Sequence, residues 1–226
     1  MFGLNIFKSS SSSFYDFYKR MVKWRESNVY PFSYNLPSTI SFPDYFWKDV
    51  IGVYKDTLKD GLERAVSVFW VDGELVVTSI VKGDEKSVKS NHNLNVKYSP
   101  HPTRRGYLRK EVYLNEKLLK RKDVYHKNVP KKVVVEYLFN MHTHPKNSNT
   151  ETVSYSFFSK QDVSSLLSSG AIISGLVTDR LWLLVRTSES PSSPVLEDEQ
   201  ISVETLKDQM KFTIYEAEFN NKAIRK

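Results

Sequence analysis

The sequence contains no cysteine. That excludes a disulfide framework and thiolate catalysis, and it leaves His, Asp and Glu to hold any metal. Histidine is itself scarce, at five in 226 residues, so a closely spaced pair carries information. No apolar run approaches the ~20 residues needed to span a bilayer. Met1 to Lys8 include a short apolar patch but neither a basic n-region nor a small-residue cleavage pattern, so no secretory signal is expected. The expected location is the cytoplasm. What is present fits a globular chain: 40% apolar and 26% charged residues rule against a disordered or membrane class. A length of 226 residues is enough for one good core with a small appendage.

The formal net charge is +7, and much of the excess lies between Lys82 and Lys132, in Arg104-Arg105, Arg109-Lys110, Lys120-Arg121-Lys122 and Lys131-Lys132. A basic segment suits nucleic acid, acidic lipid, an acidic protein partner, or solubility alone. Tyr98, Tyr107, Tyr113 and Tyr125 interleave with these charges, as in proteins that stack single-stranded bases, although a solvated charged face has the same composition.

Residues 1–40 read as an N-terminal extension. It holds a serine run at Ser9 to Ser13 and an aromatic helix in which Phe14, Phe17, Tyr18 and Met21 recur at helical spacing. This helix either docks on a partner or packs on the parent domain. Residues 41–226 form the main domain. A helix capped by Ser41 or Asp44 runs through Phe46, Val50, Ile51, Tyr54 and Leu58 to Gly61. Two β-type runs, Arg64 to Val71 and Glu74 to Val81, flank Asp72-Gly73, the composition of a type I′ hairpin. An insertion at 83–130 begins as a loop to about Gly106 and then offers a hairpin across Asn115-Glu116. The strand Val133 to Phe139 follows, then a helix begun by Ser159 and ended by Gly170. Strands at Ala171–Val177 and Leu181–Arg186, a linker at Ser188 to Pro194 and a helix over 202–219 complete the chain. This order predicts an α/β or α+β domain with a central mixed sheet flanked by helices.

The paired histidines are in Asn140-Met141-His142-Thr143-His144-Pro145, immediately after an apolar strand. Residues two apart on a strand share a face, so His142 and His144 point the same way. Two imidazoles and a nearby carboxylate make a three-ligand metal site with an open position. Asp162, in the first turn of the helix begun by Ser159, is the candidate carboxylate. Ser159-x-x-Asp162 also satisfies a capping pattern, and a cap alone accounts for both residues.

Together, His142-Thr-His144-Pro145, Ser159-x-x-Asp162 and an upstream glutamate at a strand start resemble the JAMM (MPN-plus) motif of the JAB/MPN metalloprotease family. The resemblance covers roughly residues 43–187 and includes the element order. It implies a zinc enzyme that cuts peptide or isopeptide bonds, often releasing ubiquitin-like proteins from lysine. On this resemblance His142, His144 and Asp162 are the zinc ligands. Glu63 holds and deprotonates the attacking water, and Ser159 stabilises the oxyanion. Glu74 lies at the far end of the strand from Glu63, and Glu136 lies six residues before His142, about 20 Å along a strand. One departure from the family is the long segment Lys146 to Phe158 between the two halves of the motif, which would form a rim or lid. Glu151 within it is an alternative to Asp162, at the cost of the serine match.

The expected partner is a protein substrate, with a ubiquitin-like modifier or its conjugates as the class the resemblance suggests. Segment 83–130 occupies the interval in which ubiquitin-directed members receive the modifier's tail, and an exposed hairpin edge there suits strand addition. Two other readings are a nucleic-acid-associated protein using the basic segment, and a metal-free interaction scaffold like the family's inactive members.

Overall fold

Successive strand residues feed two separate apolar cores, and this alternation organises the molecule. The computed structural model describes residues 11–27, 29–82, 94–114, 116–145, 156–192 and 201–226. Among them are three α-helices: α1 (Phe14–Glu26), α2 (Asp44–Asp60) and α3 (Lys160–Ser168). The strands are β1 (Ser11–Ser13), β2 (Thr39–Ser41), β3 (Arg64–Val71), β4 (Glu74–Lys82), β5 (Leu94–Pro100), β6 (Tyr107–Leu114), β7 (Lys117–Tyr125), β8 (Val135–Thr143), β9 (Ile173–Val177), β10 (Leu181–Val185), β11 (Thr213–Ala217) and β12 (Ala223–Arg225). Nine of them form one mixed sheet in the order β1-β2-β12-β11-β10-β9-β8-β3-β4, and β5-β6-β7 form a separate antiparallel sheet. The fold is therefore mixed α/β with one large sheet and few helices. No described helix is long and apolar enough to cross a membrane.

On one face of the large sheet, Leu183, Val185, Tyr215 and Met141 pack with Phe46, Trp47 and Val50 of α2 and with Phe14, Phe17 and Met21 of α1. On the other face, Leu176, Leu184 and Ile214 pack with Val163, Leu166 and Leu167 of α3. A third cluster, Phe69, Val71, Val76 and Val112, joins the small sheet to the large one. Strands buried on both faces read as near-continuous apolar runs, which is the pattern of Leu181 to Val185.

The hairpin turn has the expected backbone, with φ of 47° at Asp72 and 92° at Gly73. Asp72 also anchors the insertion: its carboxylate accepts from Tyr98 Oη at 2.8 Å and from the Val134 amide at 2.8 Å. The buried Lys110 ammonium lies 3.5 Å away. The hairpin across 115–116 forms as β6 and β7.

Four expectations need correction. The segment 1–40 is not an appendage over its described part: Phe14, Phe17 and Met21 are each at most 1% exposed, so α1 belongs to the core. Ser11–Ser13 pair in parallel with Thr39–Ser41, while Ser9 and Ser10 lie outside the described residues. The helix α2 forms with its end at Gly61 (φ 71°) as expected, but its N-cap is Pro43, with no side-chain cap from Ser41 or Asp44. Within 83–106, Leu94–Pro100 is a strand of the small sheet, its Leu94 and Val96 packing against the cluster of Phe69, Val71, Val76 and Val112. The predicted 202–219 helix is a single π-helical turn at Thr205–Gln209 followed by β11. Thr213-Ile-Tyr-Glu-Ala217 is β-branched and aromatic, and as a strand it sends Tyr215 to one core and Ile214 to the other.

Candidate metal centre

Strand β8 lies between antiparallel β3 and parallel β9, with His142 opposite Ala65 on one side and Leu176 on the other. Pairing with β9 continues past the strand's last residue, since the His144 amide donates to the Val177 carbonyl at 3.0 Å. The extended alternation is thereby kept through His144, and both imidazoles project to one side. Their Nε2 atoms are 3.0 Å apart and their ring centroids 4.7 Å. The Gly175 backbone adds a small upward push to the His142 pKa, behind the contributions of Asp162 and Glu63.

The chain returns to this point because Phe157 and Phe158 are buried in the α3 core, Phe157 edge-on to Trp182 at 4.9 Å. Residues 146–155, including Glu151 and most of the expected rim or lid, lie outside the described residues. Ser159 then caps α3 in a full capping box with Asp162. The Asp162 carboxylate divides its duties. Oδ2 accepts from the Ser159 amide and hydroxyl, each at 2.8 Å, while Oδ1 lies 3.3 Å from His142 Nε2. The cap and ligand readings of Asp162 are therefore compatible, one oxygen for each. The Ser159 hydroxyl is spent on the cap in this geometry, and an oxyanion role requires it to turn.

Glu63 precedes β3, which is antiparallel to β8 and places the start of one beside the end of the other. Its Oε1 is 3.7 Å from His144 Nε2, and about half of its side chain is exposed. Partial burial pushes its carboxyl above the ordinary range, with His142 opposing and Asp162 reinforcing that shift. Burial also works against the Asp162 carboxylate, but His142 and Ser159 outweigh it and hold that group down to about 2. For His142, burial disfavours the cation, yet Asp162 and Glu63 push its pKa up.

One ligand atom each from His142, His144 and Asp162 lies within 4.8 Å of the others. Donors ~2.0–2.1 Å from a tetrahedral zinc stand roughly 3.3 Å apart. The 3.0 Å and 3.3 Å separations at His142 are close to that spacing. Two imidazoles and a carboxylate also form a borderline donor set suited to zinc. The residues fit the metal.

Sequence reasoning missed the groups behind the ligands. Thr143, between the histidines, necessarily faces the other way, but nothing local revealed that it meets Thr57 and Arg64. Gly175 is confined by its neighbours: a Cβ there would sit 2.6 Å from Met141 Cβ. An isolated glycine in an apolar strand is the kind of signal that marks such a close approach, and sequence reasoning left it unused. Comparison with protein-family models, with curated proteins and with solved structures returned no match to this chain.

Proposed function

We propose that this chain is a zinc-dependent peptidase or isopeptidase of the JAMM type, with the JAB/MPN fold that its motif suggests. The convergence of His142, His144, Asp162 and Glu63 at one end of β8 carries the proposal, with Oδ1 of Asp162 3.3 Å from His142 and Oε1 of Glu63 3.7 Å from His144. His142 Nε2, His144 Nε2 and Asp162 Oδ1 would hold the metal. Zinc there supplies Lewis acidity toward a scissile carbonyl and brings the pKa of a water toward ~7. Glu63, half exposed and outside the ligand set, accepts the water's proton and passes it to the leaving amine. Its raised pKa suits a group that must take and then release a proton. Ser159, freed from the cap, donates to the developing oxyanion.

The substrate class we favour is a protein bearing a ubiquitin-like modifier or an extended tail, with acidic groups that meet the basic small sheet. Nucleic-acid binding ranks second because that sheet spends several cations locally. Arg121 pairs with Glu111, Arg104 with Asp123, Lys122 with Glu74 and Lys110 with Asp72. Steep salt dependence of DNA or RNA binding would favour that reading.

The deciding experiment is metal analysis of wild type beside His144→Ala. The expected result is about one zinc per chain, absent from the variant. Zinc-supplied wild type that retains no metal would sink the proposal and leave the metal-free scaffold. Glu63→Gln is expected to keep the metal and lose peptide hydrolysis, and retained hydrolysis would remove Glu63 from the base role.

A further inference from the structure

A cleft of about 360 Å³ opens between the first half of β8, the start of β9 and the last turns of α3, and Asn140 and Ser165 in its lining lie close to His142 and Asp162 along the strand and the helix. Its position follows from the register. Asn140 lies two residues before His142 on the same strand, and its partner Ser174 lies two before Leu176, the partner of His142. Ser165 lies one helical turn beyond Asp162. Strand and helix both lead from the ligands into the cleft. From Asn140 its β8 wall extends to Tyr137, whose carbonyl accepts from Tyr18 Oη at 3.2 Å. Three strand residues span ~10 Å, room for about three residues of extended chain.

The lining is neutral throughout: its polar groups are the tyrosines, Asn140 and serines 165, 169 and 174, with no charged side chain. Asn140 is exposed, and its Oδ1 accepts from the Ser67 hydroxyl at 2.8 Å. That bond fixes the amide plane and leaves Nδ2 and an Oδ1 lone pair, a donor and an acceptor matching a peptide group. A neutral cleft also discriminates, because a charged side chain loses its water there with no counter-charge in return.

We infer that this cleft is the substrate-binding cleft of the metal centre, that it takes an extended, uncharged polypeptide segment next to the scissile bond, and that Asn140 pairs with a backbone amide of that segment. The inference rests on the proposed zinc peptidase reading. Its test is built to separate the two.

Binding to the zinc-loaded protein is measured for acetohydroxamate, which reports the metal alone. It is also measured for two Ala/Gly/Ser hexapeptides carrying a hydroxamate at the N- or the C-terminus. One hexapeptide is expected to bind at least about tenfold tighter than acetohydroxamate, the yield of a few net hydrogen bonds. The ratio of the two affinities should fall toward one in Ser165→Phe, which fills the cleft from an exposed helix position. It should fall several-fold, by roughly the value of one hydrogen bond, in Asn140→Ala. Glu at the three positions nearest the hydroxamate should also erase the gain. Acetohydroxamate binding without a hexapeptide gain, or a gain that survives Ser165→Phe, overturns the cleft while leaving the metal centre. No zinc and no acetohydroxamate binding overturns both.

Discussion

The hydroxyls of Thr57 and Thr143 meet at 2.6 Å on the core side of β8, directly behind the two histidines. Thr143 Oγ1 also accepts from the Arg64 amide at 2.9 Å, and Arg64 Nη1 reaches Thr57 Oγ1 at 3.2 Å. Arg64 is in turn held by Asp60 at 2.7 Å. This buried polar knot ties the residue between the ligands to the residue after Glu63. It holds Glu63 at a set distance from the two histidines without touching any of their side chains. Thr143→Val keeps the shape and removes the hydroxyl, leaving the Arg64 amide and Thr57 short of a partner. The expected loss is about 1–3 kcal/mol in urea unfolding, with weaker zinc retention against a chelator. Thr143→Ser should restore both. Equal stability and zinc affinity in the valine variant would show that the knot positions nothing.

The two oxygens of Asp162 allow its structural and metal roles to be separated. Asp162→Asn retains an acceptor for the Ser159 amide but loses the anionic oxygen facing His142. At pH 8 its unfolding free energy should fall by no more than about 1 kcal/mol, the size of a cap or dipole effect, while zinc is lost. Ser159→Ala should do the reverse, costing ~0.5–2 kcal/mol through the cap and retaining zinc. Zinc bound at full stoichiometry by Asp162→Asn would assign the carboxylate to the cap alone.

In the metal-free protein the same pair sets a pH window. The Asp162 pKa is depressed to about 2, so its contribution is complete above its ordinary value near pH 4 and is lost as pH falls toward about 2. The His142 pKa is raised, so its contribution is complete below about pH 6.5 and is lost as pH rises through the folded value. Thermal midpoints of chelator-treated protein should therefore peak between about pH 4 and 6.5 relative to Asp162→Asn. Zinc competes with the proton on His142, so zinc affinity should weaken as pH drops through that same raised value. A difference between the two proteins that stays flat from pH 3 to 9 would contradict the pairing.

Local signals in the sequence were enough to bring His142, His144 and Asp162 together as a candidate metal site. Period-two projection alone put His142 and His144 on one side, and Asp72-Gly73 alone specified the β3–β4 hairpin, whereas Glu63 reaches the histidines through the antiparallel pairing of β3 with β8. The element that went astray was the C-terminal one. Leu206, Met210, Ile214 and Phe219 have helical spacing, but Ile214 and Tyr215 each complete a different core, and that demand is visible only once two faces of one sheet exist. The aromatic helix near the start was read correctly as a helix, yet its place in the core depends on Ser11–Ser13 pairing with Thr39–Ser41. A serine run gives no hint of that pairing. Behind the site, Thr57 and Thr143 are 86 positions apart, and neither has a local reason to be buried.

Gly175 gives the most direct test that β9 orients the site from outside it. Its missing side chain lets β9 approach Met141 so closely that a Cβ would lie 2.6 Å from Met141 Cβ, one residue before His142. That contact is backbone-adjacent, so it cannot be relieved by turning a long side chain. Gly175→Ala must push β9 away from β8, loosening the pairing that extends the strand through His144. Overpacking of this kind costs about 1–3 kcal/mol, which chemical unfolding should register. The diagnostic readout is the site itself: zinc retention against a chelator should weaken relative to wild type. Combining the glycine substitution with Met141→Ala removes the clashing atoms beyond Cβ but not Cβ itself, so the defect should persist. A double variant with wild-type zinc affinity would show that β9 only packs against the site and does not aim it.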